Sequence, residues 1–116
     1  MLTVVTGLPG AGKAAYVAEH KDPGDIVIDF DLIAEAIGSP VPHDHSPEIT
    51  QVARCMRGTG IRAALHWAAR GKQVWIIDCE PPLIRQLQYL GAACRVVRLN
   101  PPPGGRRRRL AGRRAS

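Results

Sequence analysis

The chain has 116 residues, 45% hydrophobic, 22% charged and only 4% aromatic, which fits one small domain packed by aliphatic side chains. No apolar run reaches the roughly 20 residues that span a bilayer, so no membrane partner is expected, and the N-terminus shows neither the basic region nor the small-residue cleavage site of a signal peptide. The formal net charge of +6 sits in Arg106, Arg107, Arg108, Arg109, Arg113 and Arg114, with ten basic and ten acidic side chains left elsewhere, so the pattern does not imply a basic nucleic-acid-binding domain surface.

The β-branched run Met1 to Thr6 (MLTVVT) predicts a buried strand, and Gly7 bounds it. A helix is expected over Lys13 to His20, stopped by Asp22-Pro23-Gly24. Ile26 to Ile28 predicts a second strand running into Asp29-Phe30-Asp31, and Leu32 to Ile37 a short helix ended by Gly38-Ser39-Pro40. After a polar loop, Ser46 is a good N-cap, followed by Pro47 and Glu48 in the first turn. Apolar residues then recur at helical spacing to about Arg70. Gly58 and Gly60 interrupt that stretch and predict a kink or two helices. Gln73 to Asp78 (QVWIID) predicts a third strand, Leu83 to Leu90 a helix behind Pro81-Pro82, and Cys94 to Leu99 a fourth strand. The alternation predicts an α/β fold: a three-layer sheet of about four parallel strands with helices on both faces. Residues 1–100 form the expected domain. Residues 101–116 (PPPGGRRRRLAGRRAS) lack apolar periodicity and read as a disordered, Arg-rich tail. Cys55, Cys79 and Cys94 are odd in number, widely spaced and without a CxxC. They predict neither a disulfide scaffold nor a zinc module, and a cytoplasmic protein.

The most specific signal is Gly7-Leu8-Pro9-Gly10-Ala11-Gly12-Lys13, which matches GxxxxGK between a strand and a helix. Glycines let successive backbone N–H groups turn inward as an anion nest. The helix N-terminus adds partial positive charge, and Lys13 adds a full one. The motif continues with Ser or Thr, whose hydroxyl ligates Mg²⁺; here Ala14 follows. Phosphate cradling by Gly7 to Ala14 is therefore expected, with weakened Mg²⁺ binding. No NKxD element occurs, which favours ATP over GTP.

Asp29 and Asp31 follow the second strand, at the sheet edge where open α/β folds bind ligands. Their spacing also suits a helix cap. Asp78 ends the apolar run Val74 to Ile77, a Walker B pattern in which the Asp holds Mg²⁺ through water. Glu80 lies two residues on. His43, Asp44 and His45 form a tight polar cluster. It is too small to close a zinc site and reads as an acceptor-binding loop or a solvated one.

GLPGAGK, with VIDFD after the second strand and VWIID in the third, resembles the P-loop kinase group, which includes adenylate kinase, shikimate kinase and the kinase domain of polynucleotide kinase. Most similar are small phage and actinobacterial "AAA family ATPase" proteins of polynucleotide-kinase-like type, over roughly residues 1 to 100. The resemblance implies transfer of the ATP γ-phosphate to a hydroxyl acceptor, with Asp29 beside Mg²⁺ and Asp31 as general base. Polynucleotide kinases carry a phosphate-gripping Arg where this chain has Ala34. The group's lid arginines fall near Arg106 to Arg109, but no amphipathic helix presents them and a fifth strand is missing, as in a truncated version of the fold. The tail is thus a lid, a basic arm for non-specific nucleic-acid binding, or a segment without a role. Two other functions stay open: a degenerate nucleotide-binding module without turnover, and a nucleic-acid-associated protein acting through its tail.

Overall fold

The computed structural model describes residues 1–79, 81–91 and 94–100. Their order is β1 (Leu2–Gly7), α1 (Lys13–His20), β2 (Ile26–Asp29), α2 (Phe30–Ala36), α3 (Pro47–Ala68), β3 (Val74–Asp78), α4 (Leu83–Gly91) and β4 (Cys94–Leu99). The expected tail, its lid arginines and Glu80 lie outside the described residues. No helix among the described residues is long and apolar enough to cross a membrane.

The four strands form one parallel sheet in the order β2-β3-β1-β4. Period-two alternation divides the core between its faces. Leu2, Val4, Val74 and Ile76 face α3 and α4, meeting Ile61, Ala64, Ala68 and Tyr89. Val5, Trp75 and Ile77 face α1 through Val17. The central strands β1 and β3 are buried along their whole length, which is why they read as unbroken apolar runs. The strand β2 is only half-buried.

One of the two alternatives fails: the segment with Gly58 and Gly60 is one uninterrupted helix of 22 residues and not two helices. Ser46 caps it by accepting the Ile49 N–H. Ala53, Ile61, Ala64 and Ala68 are its buried residues. Two glycines cost about 2 kcal/mol of helix propensity, less than the packing of such a face returns. At Gly60 the helix passes close to β2: a Cβ there would be in ordinary van der Waals contact with Ile28 Cδ1, at 3.5 Å.

Parallel pairing brings the carboxyl ends of all four strands to one edge. Thr6 lies opposite Asp78, and Asp29 opposite Ile77. The chain leaves β1 over the α1 face and leaves β3 over the α4 face. The carboxyl ends of β1 and β3 therefore flank a topological switch point, the place where open α/β sheets take ligands.

Candidate functional site

The loop from Gly7 to Gly12 fills that switch point. Gly7, Gly10 and Gly12 have φ of 146°, 86° and 85°, where L side chains are strained. The Ala11 N–H donates to the Leu8 carbonyl at 3.2 Å and closes a tight turn. Gly12 is the N-cap of α1 and brings no side chain to cap the first turn. Its amide donors are thus left to the loop side, as an anion site requires. Lys13 is 8% exposed, and its Nζ donates to the Gly7 and Leu8 carbonyls at 3.0 Å each. The cation is therefore fixed inside the loop. Leu8, Pro9 and Ala14 are accessible from solvent, Ala11 is buried, and Ala14 has no hydroxyl to offer.

Asp29 ends β2 and N-caps α2, accepting the Asp31 N–H at 3.3 Å. It is a cap and, with its remaining lone pairs, a possible ligand. Burial pushes its carboxyl above the usual range, against the pull of that N–H and of Arg57. It stands at the end of the next strand but one from β1, about 10 Å across the sheet.

Asp78 is 2% exposed and heavily engaged. Arg85 grips it in two places, Nε to Oδ2 at 2.8 Å and a terminal N–H to Oδ1 at 3.1 Å. Tyr89 donates to Oδ2 at 2.8 Å, and Arg57 reaches Oδ1 at 2.7 Å. Four donors take up the roughly four lone-pair sites of a carboxylate, so a metal-bound water would have to displace one of them. Burial pulls the Asp78 carboxyl upward, but the two guanidinium groups and the phenol outweigh it and hold it below the ordinary range. The phenol of Tyr89 is pushed up by burial and by the adjacent carboxylate. Among the described residues, the buried Arg57 Nε and Thr6 Oγ1 have no hydrogen-bond partner.

Asp31 is not alone at the start of α2. His43 Nδ1 meets its Oδ2 at 3.1 Å and His45 Nε2 its Oδ1 at 2.8 Å. Ser39, buried at the end of the preceding turn, meets the other nitrogen of His45. The loop read from sequence as a separate feature is thus joined to Asp31, while Asp44 stays exposed. Ala34, the position at which the resemblance to polynucleotide kinases would place an arginine, is fully buried. Among the described residues no group of three His, Cys, Asp or Glu is arranged to hold a metal.

Sequence reasoning missed Arg57, Arg85, Tyr89 and Ser39. A signal existed for Arg57: it falls between Ala53 and Ile61, on the stripe α3 buries, and a charge in such a stripe implies a partner. No protein-family model matches this chain, and no curated protein is detectably similar to it.

Proposed function

We propose that this chain binds ATP on the loop Gly7 to Lys13 and transfers the γ-phosphoryl group to a hydroxyl acceptor at the carboxyl edge of the sheet. The observation that carries the reading is the loop itself. Three positive-φ glycines, an uncapped helix start and a buried lysine cation converge at the switch point, and their charge suits a polyphosphate. In this reading Asp29 lies on the metal side and Asp31 on the acceptor side. The residues fit Mg²⁺ held as it often is, by one or two carboxylates and the substrate's phosphates: Asp29 keeps lone pairs for it, and Asp78 would contribute only by giving up a donor. Mg²⁺ would supply neutralisation of phosphate charge.

Calorimetric titration with ATP tests the reading. Lys13→Ala removes a charge-assisted contact of about 1.5–3 kcal/mol, so its Kd is expected to rise roughly 10- to 100-fold. Equal affinity in wild type and variant would overturn the proposal.

A second reading, nucleotide binding without turnover, is favoured by Ala14 and by the four donors on Asp78. The two are separated by restoring the hydroxyl. Ala14→Ser adds one ligand at an exposed position of the first turn of α1. It is expected to raise Mg²⁺-dependent ATP affinity roughly tenfold and to increase phosphoryl transfer. Tighter binding with no transfer to any acceptor, water included, would favour the module without turnover. Nucleic-acid association through residues 101–116 belongs to a segment outside the described residues.

A further inference from the structure

Asp31 is held by two imidazoles presented in opposite senses, and the sense decides what each ring does. A carboxylate only accepts, so the ring nitrogen that faces it carries the proton. His45 faces Asp31 with Nε2, and its Nδ1 faces the Ser39 hydroxyl. That hydroxyl also lies 3.0 Å from the Val41 carbonyl; wherever its proton points, Nδ1 is turned to Ser39 and away from solvent. The His45 side chain is 5% exposed and packs edge-on against Phe30. Both its nitrogens are committed, so it positions Asp31 and offers nothing to a substrate.

His43 is the reverse. Its Nδ1 faces Asp31, its side chain is 71% exposed, and no described residue takes up its Nε2. A carboxylate on Nδ1–H fixes the tautomer that leaves a lone pair on Nε2, the arrangement in which an imidazole serves as general base. The carboxylate it faces belongs to Asp31, whose N–H is held by Asp29 Oδ1 at 3.3 Å, so the ring is anchored at the end of β2, on the carboxyl edge of the sheet.

We infer that His43 Nε2 is the atom that takes the proton of the acceptor hydroxyl, with Asp31 orienting the ring and His45 and Ser39 fixing Asp31. The inference rests on the phosphotransferase reading and moves the base from Asp31 to His43. In the step, the acceptor O–H bond breaks and its proton passes to His43 Nε2. The acceptor oxygen bonds to the γ-phosphorus while the bond from that phosphorus to the bridging oxygen breaks, and the electron pair leaves with the nucleoside diphosphate. Asp31 faces the resulting imidazolium and offsets its charge, and solvent then removes the proton.

Two measurements on the full chain test it. The first is ¹⁵N NMR of the histidine rings, with His43 assigned by its loss in His43→Gln. Neutral His43 is expected to carry its proton on Nδ1; a proton on Nε2 overturns the inference whatever the activity. The second is transfer from Mg²⁺·ATP to a panel of hydroxyl acceptors and to water. His43→Gln is expected to lower kcat about 10²- to 10⁴-fold with the Kd for ATP unchanged, and added imidazole to restore part of the rate in His43→Ala. Full activity in His43→Gln overturns the base while leaving the transferase intact. ATP binding with no transfer from wild type, water included, removes the phosphotransferase reading and the base role with it, even where the tautomer is Nδ1–H.

Discussion

Asp78→Asn is expected to lower the free energy of unfolding by about 3 kcal/mol, measured by urea denaturation without nucleotide. The amide keeps the shape of the side chain but leaves Arg57 and Arg85 facing a neutral group inside the protein. Removing one partner of a buried pair costs about 3–5 kcal/mol; the lower end applies because the Arg85 side chain is one-third exposed. For a domain of this size the melting temperature should fall on the order of 10–20 °C. The effect has a pH signature. The folded-state carboxyl of Asp78 lies below its ordinary value, so its contribution is full above the unfolded value of about 3.9. It is lost as pH falls through the lower folded value, and the difference between wild type and variant should shrink there. Unchanged stability in Asp78→Asn, with a loss only in Mg²⁺ dependence, would mean that Asp78 serves the metal and not the arginines.

Gly7→Ala is expected to cost more than about 3 kcal/mol and to abolish ATP binding. A Cβ at Gly7 would sit 2.1 Å from the Leu99 carbonyl oxygen, at a φ of +146°. Strain at such a φ costs about 1–3 kcal/mol, and the clash must also be relieved by moving β4, which pairs Gly7 with Leu99. Displacing that pair shifts the loop that follows. Gly58→Ala is the matched control. It lies inside α3 with nothing within 4 Å of a Cβ, and should gain about 0.5–1 kcal/mol. Equal stability of Gly7→Ala and wild type in urea unfolding would show that β4 is not held against the loop.

Sequence alone determined the elements and the glycine-rich loop, because their causes lie within a few residues. Val4-Val5 and Ile76-Ile77 are buried on both faces of a parallel sheet and read as strands. Gly7, Gly10 and Gly12 mark positions that need positive φ, and Ser46-Pro47 starts α3 through a local cap. The carboxyl-edge placement of Asp29, Asp31 and Asp78 followed from strand ends alone. Tertiary structure decided which partners those carboxylates have. Arg57 lies on α3 and Arg85 on α4, and both reach Asp78 only because both helices pack on the same face of the sheet. Asp31 and His45 are 14 residues apart and meet at 2.8 Å because the loop folds back over the start of α2. The unbroken α3 has the same origin, since packing against β2 and β3 outweighs the local cost of Gly58 and Gly60. Propensities and caps are short-range and legible in the chain; the pairing of distant charges depends on which elements pack together, and no residue spacing encodes that.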